Sequence, residues 1–488
     1  MPGHGTGVSA DEREALAVEK KRIVSVRGSL VALSLCVLLS SIGTSIANVS
    51  LPMLAQAFGA SFQQVQWVVL AYLLAVTTMV VSVGRLGDII GRRRLLMVGV
   101  ILFSVASALC GSAPTLWLLI AARAMQGLGA AIMMAITMAF VGETVPQARV
   151  GRAMGLLGTM SAAGTALGPS LGGLLISAFC WQAIFLINVP LGVTILLLIH
   201  RYLPVDANPR RTIPPSFDVV GTLVLATTLA AYSLAMTVGR GHVGAQNLAL
   251  LMAALLGLSL FIVAERRVAS PLVRLALFRN ASVSTSLAMS SLVSTVMMAT
   301  LVVGPFYLSQ TLGLSASWLG LVLSIGPLFA AVAGVPAGRL VDNVGAHRMT
   351  RMGLIGIAVG CLLLSTLPAS LGTVGYILPI VVLTVGYAFF QTANNTVVMM
   401  DVHPDQRGVI SGLLNLSRNL GLITGASVMG ALFTYASGMT DIATVAPEAV
   451  ATGMQITFAV AGLLILVALA LVVGSRMLGT RTVLAEHV

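Results

Sequence analysis

Fourteen apolar stretches, each near the roughly 20 residues that carry a helix across the hydrocarbon core of a bilayer, leave this chain few ways to fold. They run over about 28–50, 64–84, 95–111, 115–141, 153–178 and 182–201, then 219–238 and 247–264, then 283–308, 318–338, 352–369, 373–400, 408–434 and 455–476. With 57% apolar and 9% charged residues, the sequence has too little polar surface for a soluble domain. Inside lipid every backbone N–H and C=O needs a partner within the chain, which a helix supplies from its own segment. The expected fold is an all-α polytopic membrane protein with 14 transmembrane helices embedded in the lipid bilayer.

The net charge of +12 invites a nucleic-acid partner until the basic residues are placed. With the N-terminus inside, all but three of the 27 Lys and Arg fall in the tails and the inner connections. Arg240 stands in an outer loop, and Arg123 and Arg418 stand inside apolar stretches. This asymmetry is the positive-inside pattern, which puts both termini in the cytoplasm and removes nucleic acid as a partner. The N-terminal tail, 1–27, contains Lys20, Lys21 and Arg22 and shows no small-residue cleavage site, so no removable signal peptide is expected. Cys36, Cys110, Cys180 and Cys361 have neither metal-ligand nor disulfide spacing, and their expected role is packing.

Between the second and third stretches lies GRLGDIIGRRRL, Gly84 to Leu95, and an imperfect copy returns 254 residues later as GRLVDNVGAHRM, Gly338 to Met349. Gly84, Arg85, Asp88, Gly91 and Arg94 recur as Gly338, Arg339, Asp342, Gly345 and Arg348. At an offset of 257, Gly164, Gly168 and Gly173 recur as Gly421, Gly425 and Gly430. The chain is thus internally duplicated: a bundle over 28–202, a linker over 203–282 with two extra helices, a second bundle over 283–477, and a tail over 478–488. Two similar membrane halves are the plan of a transporter that rocks around a site near the bilayer midplane. An acid beside several arginines forms a latch that makes and breaks as bundles slide, so these residues, with Arg92, are the candidate conformational gate. The loop resembles the signature inner loop of the major facilitator superfamily.

The fourth stretch carries RAMQGLGAA from Arg123 to Ala131. An arginine at a helix centre costs about 2.5–3.5 kcal/mol on insertion scales, so it needs a partner or a watery pocket. Arg123 and Gln126 match the superfamily's fourth-helix motif, and the resemblance implies proton coupling there. In the fifth stretch Gly164, Gly168, Gly172 and Gly173 give a smooth face for close helix contact, and Pro169 withdraws one backbone hydrogen bond and invites a bend. That pattern resembles the motif of the superfamily's exporters and antiporters. Together with the inserted helix pair and RGVISGLLNLSRNLG, Arg407 to Gly421, nearly the whole chain resembles the fourteen-helix drug:proton antiporter branch. Thr44, Asn48, Gln391, Asn394, Asn395 and Arg418 join Arg123 and Gln126 as candidate coupling or substrate-binding groups. Ser290, Ser294 and Thr295 are further candidate polar groups of the cavity, and Met297, Met298, Phe306, Tyr307, Tyr387, Phe389 and Phe390 a candidate apolar wall.

One departure stands out. Members of that branch usually carry a carboxylate in the first helix, one residue before a Thr or Ser, and here that place is Gly43, ahead of Thr44. None of the 15 acids and none of the 6 His lies deep in an apolar stretch. The cavity charge then comes from Arg123 and Arg418, which favours neutral or anionic cargo. The resemblance implies export of a small amphipathic organic molecule by alternating access, with protons as the coupling ion, in a bacterial inner membrane and without need of a partner subunit. The missing acid keeps facilitated uptake of a vitamin-like or anionic solute as the alternative. No nucleotide-binding glycine loop, metal-ligand cluster or nucleophile with a base marks an enzyme, and neither cofactor nor metal is expected.

Overall fold

The structure is a computed structural model, and it describes residues 10–144, 150–203, 219–237, 244–267, 280–400, 407–438 and 446–485. Within the helices some side chains lie outside the described set, among them those of Arg85, Asp88 and Asp342 in the two hinges and of 407–412. The described residues form helices and no strand. In the first half these are α1 (Ala10–Phe58), α2 (Phe62–Ile90), α3 (Arg92–Gly111), α4 (Leu116–Thr144), α5 (Val150–Ala178), α6 (Ala183–Leu186) and α7 (Asn188–Tyr202). Two further helices follow, α8 (Val219–Thr237) and α9 (Ala245–Arg267). The second half holds α10 (Ala281–Phe306), α11 (Ala316–Val344), α12 (Ala346–Thr366), α13 (Gly372–Met400), α14 (Arg407–Thr424), α15 (Gly430–Ser437) and α16 (Pro447–Ala485). Single π-helical turns extend α10 over Tyr307–Thr311 and join α14 to α15 over Gly425–Met429.

Twelve spans among the described residues are long and apolar enough to cross a membrane, against the fourteen the sequence predicts. The two remaining segments are helical but do not count among the twelve. In α8 the apolar part is Val220–Met236, short of the roughly 20 residues that span a bilayer. In α5 many side chains of the first turns are outside the described set. The helix continues through Pro169 to Ala178.

The duplication is visible in the backbone. Gly91 (φ 100°, ψ 132°) ends α2 and opens α3, and Gly345 (φ 91°, ψ 139°) does the same for α11 and α12. Positive φ with extended ψ is open to glycine and strained for any side chain. In each corner the glycine N–H closes the helix before it, onto Gly87 O or Val341 O at 3.0 Å. Helix crossings repeat as well. A Cβ on Gly129 would lie 2.8 Å from Gly99 O, and one on Gly386 would lie 2.8 Å from Gly353 O, so α3–α4 and α12–α13 cross with backbones in contact. Gly164 packs on Leu38 O of α1, and Gly421 packs on Ser291 O of α10. Ser45 Oγ donates to Gly164 O at 3.3 Å, and Thr295 Oγ1 donates to Gly421 O at 3.1 Å.

The two halves meet where α2 begins. Phe62 lies edge-on to Phe306 at 4.6 Å between ring centroids and 5.3 Å from Phe433, and Gln66 Nε2 donates to Ala426 O at 2.8 Å. Near the same end α5 crosses α11, with Gly173 and Gly320 placed so that a side chain on either would overlap the opposing backbone. Toward the hinge end one face of α11 packs within its own half through buried Ala337 and Val341, while a Cβ on Gly334 or Gly338 would meet nothing within 4 Å. The inserted α8 packs on α2 and on the π turn of α14, where the Tyr232 hydroxyl donates to Thr424 Oγ1 at 3.3 Å. Asn247 Nδ2 pins α9 to α8 through Ala235 O at 2.7 Å.

Candidate functional site

Exposed large apolar side chains mark the helices that face lipid, such as Val98, Ile101 and Val105 on α3, Leu255 and Leu256 on α9, and Leu463, Leu466 and Val467 on α16. Among the described residues none stands on α10, on α13 beyond Leu378, or on α14. Among the described side chains of α14 the exposed one is Asn415, inside the span Leu413–Ser437. An amide held against lipid would lose its hydrogen-bonding partners, so this face borders water between the halves. Gln391, Asn395 and Tyr387 on α13 and Arg418 on α14 are half-buried, as expected of residues at the margin of such a cavity.

Arg123 is elsewhere. It is 0% exposed and sealed among α1, α2, α3, α4 and α6 of the first half. Its Nε donates to Val68 O at 2.9 Å, and its Nη1 donates to Gly43 O at 3.0 Å and to Gln126 Oε1. The guanidinium carbon stands 4.3 Å from the centre of the Tyr72 ring and 5.9 Å from that of Phe185. Gln126 Nε2 donates in turn to Ser107 Oγ at 2.7 Å. No carboxylate joins this group among the described side chains, so carbonyl dipoles, an amide and an aromatic face stabilise the cation in place of an acid. Thr44 belongs to the edge of the same network, with Oγ1 3.0 Å from Ser40 O and 3.2 Å from the Tyr72 hydroxyl.

Several expected cavity groups prove to be helix joints. Asn394 is buried and its Nδ2 donates to Ser286 O at 3.3 Å, Thr295 holds α14, and Ser290, Ser294, Met298, Phe306 and Phe390 are buried. Asn48 is buried too, with Nδ2 reaching Ser45 O at 3.3 Å. In the hinge, Arg92 Nη1 donates to Ala139 O of α4 at 3.4 Å and Arg93 Nη2 to His200 O of α7 at 2.8 Å. These are cations on carbonyls near helix C-termini, where the helix dipole favours them, and they tie the hinge to its own half. Arg94, Arg339 and Arg348 are exposed. Cys36, Cys110 and Cys361 are buried, whereas Cys180 is exposed.

Sequence reasoning passed over Tyr72, Ser107 and Phe185, which complete the arginine's surroundings, and Gln66, which crosses between the halves. Gln66 left a usable signal: a glutamine one turn into an apolar helix needs a partner. The other three come from different helices, and only the fold brings them to Arg123.

Residues 33–426 match the family described as Major Facilitator Superfamily. The chain belongs to that superfamily and is a membrane transporter of small molecules, not an enzyme. It is 31% identical over 441 residues to the uncharacterized transporter YebQ of Escherichia coli, covering 88% of this chain and 95% of that one. It is 32% identical over 417 residues to the multidrug resistance protein Stp of Mycobacterium tuberculosis, covering 83% and 75%. To the riboflavin transporter RibZ of Clostridioides difficile it is 30% identical over 404 residues, covering 83% and 87%. Among solved structures, a bacterial homolog of the human lysosomal transporter Spinster superposes with a TM-score of 0.68 over 93% of this chain and 97% of that one, at 17% identity, which shows a shared fold.

Proposed function

We propose that this protein is a fourteen-span exporter that moves small amphipathic organic molecules by alternating access and couples their export to protons. The observation that carries the reading is the closure of two similar halves at one end. Phe62 and Gln66 of one half meet Phe306, Phe433 and Ala426 of the other, while Gly334 and Gly338 of α11 have open space beside them toward the opposite end. Contacts of this kind at one end are what rocking halves would make and break in turn. Multidrug resistance proteins among the relatives support drug-like cargo.

With α5 and α8 counted, the helices supply fourteen spans, and the arginine-rich hinge end is the cytoplasmic one by the positive-inside rule. The conformation is then open to the cytoplasm, and the hinge residues Asp88, Asp342 and their arginines are the proposed latch that stabilises the state closed at that end. The bundles 28–202 and 283–477 are the moving bodies, and 203–282 carries the extra pair. Arg123 with Gln126 and Gly43 is the proposed coupling centre, and the transporter works as a monomer in a bacterial inner membrane.

Uptake of a vitamin-like solute is the second reading. Gly43 stands at the first-helix position where the resemblance implies an acid and offers Arg123 only its backbone carbonyl, and RibZ is named a riboflavin transporter. Accumulation of labelled dyes, antibiotics and vitamin-like solutes in exporter-deficient bacteria expressing this chain, with and without an uncoupler, separates the two. Lower accumulation restored by the uncoupler supports coupled export; raised accumulation of one solute, indifferent to the uncoupler, supports uptake.

A further inference from the structure

We infer that the cargo is an organic anion and that Arg418, not Arg123, is the cation that recognises it; the inference rests on the transporter reading above. A membrane-embedded arginine has to be accounted for by a partner, a watery face or a ligand. Arg123 is 0% exposed and sealed within one half, with Nε and Nη1 paired to that half and Nη2 buried without a partner, so no ligand between the halves reaches it. Arg418 is different. It is half-buried, its Nε is out of contact with solvent and unpaired, and its guanidinium makes no hydrogen bond or ion pair with described residues.

Its position fits a ligand. At a rise of about 1.5 Å per residue, Arg418 lies roughly 16 Å along α14 from Arg407, close to half of a hydrocarbon core of about 30 Å. Residues three apart share a helix face, which places exposed Asn415 beside it. Toward the buried α10, Ser417 donates to Leu287 O and Gly421 packs on Ser291 O, so α14 is fixed at that depth. Gln391 and Asn395 of α13 are half-buried amides on the neighbouring helix of the same half. The described side chains in the spans near this face include no carboxylate. A cation with amide neighbours and no acid selects a carboxylate or sulfonate on an apolar body, and repels an ammonium.

The test is equilibrium binding to the purified full-length protein in lipid nanodiscs, without any gradient, using 2-naphthoate, 2-naphthamide and 2-naphthylmethylamine as one apolar body with three charges. The expected result is naphthoate binding at least tenfold tighter than the amide, with the amine weakest and the naphthoate preference falling as salt rises. Arg418→Gln should bring naphthoate to within about twofold of the amide while leaving the amide unchanged, and Arg418→Lys should keep part of the preference. Wild-type protein that shows no acid preference, or an Arg418→Gln variant that keeps it, overturns the assignment. The salt series needs no variant and stands if Arg418→Gln fails to fold. Transport of neutral or cationic solutes without acid binding would sink this inference and leave the transporter reading intact, whereas acid binding without flux of any solute would do the reverse.

Discussion

Gly43 O accepts a hydrogen bond from Arg123 Nη1 at 3.0 Å, so a backbone carbonyl of α1 meets the buried arginine of α4. The absence of a side chain at position 43 is enforced by packing, because a Cβ there would stand 2.8 Å from Phe103 Cζ and 3.6 Å from the Tyr72 hydroxyl. Phe103 of α3 therefore fills the space that an acid on α1 would need.

Replacing Arg123 with Ala removes the donor shared by Gly43 O, Val68 O and Gln126. Gly43 O and Val68 O lie mid-helix and keep their intrahelical bonds, so the loss is of hydrogen bonds to a charged donor, each worth about 1.5–3 kcal/mol. Arg123→Ala should therefore lower the thermal unfolding temperature in detergent by several degrees and reduce transport at least tenfold, with membrane insertion kept. Arg123→Lys should recover little, since one ammonium cannot reproduce a planar fork stacked on Tyr72. Wild-type stability in Arg123→Ala would show that the network is idle.

An acid can be put back and the steric argument checked at once. Gly43→Asp should destabilise the protein by overpacking against Phe103, at a cost of about 1–3 kcal/mol. Phe103→Ala alone should cost about 3–5 kcal/mol through its cavity. The double variant should be more stable than the sum of the two losses, with a coupling of about 1 kcal/mol or more, because each change relieves the other. Additive losses in the four unfolding temperatures would remove Phe103 as the reason for Gly43.

Gln66 is the polar clasp between the halves. Its Nε2 reaches Ala426 O inside the π turn Gly425–Met429, and Gly430 leaves it room, since a Cβ on that glycine would overlap the amide. Gln66→Leu should weaken closure by about 1 kcal/mol, which is roughly a fivefold shift toward the state open at the Phe62 end. Gly430→Ala should act in the same direction by pushing Gln66 aside. Labelling of single cysteines placed beside Phe62, in a background lacking exposed Cys180, should quicken in both variants.

Much of this architecture is legible in the sequence, because a hydrophobic run and a glycine spacing are local properties. The paired corners at Gly91 and Gly345 follow from the repeat of Gly84–Leu95 in Gly338–Met349, and the helix joints follow from Gly164 and Gly421. The candidate site was harder to read, since a polar residue in an apolar helix looks the same whether it faces water or a neighbouring carbonyl. Asn394 and Thr295 turned out to bond helices together, and Arg123 to be enclosed, because their partners Ser286, Gly421, Val68 and Gly43 lie between about 55 and 126 residues away along the chain. Burial separates these groups from Asn415 and Arg418, and burial is a property of the assembled helices.

Gly173 and Gly320 let α5 and α11 touch backbone to backbone, and that contact joins the two halves, whereas Gly164 serves α1 and α5 within one half. A valine at either place meets the same kind of obstacle but in different contexts. Gly173→Val or Gly320→Val should leave each half folded and prevent closure at the Phe62 end, so the protein should express and bind cargo yet turn over at least tenfold more slowly. Gly164→Val should force α1 and α5 apart inside the folded half, where a Cβ would lie 2.7 Å from Leu38 O, and its overpacking should cost about 1–3 kcal/mol or more of stability. Size-exclusion profiles and cysteine labelling on these three variants distinguish the effects. A monodisperse Gly173→Val with fast labelling beside Phe62 and slow transport is the outcome expected of a gate, and aggregation of all three variants alike would mean that α5–α11 is ordinary core packing.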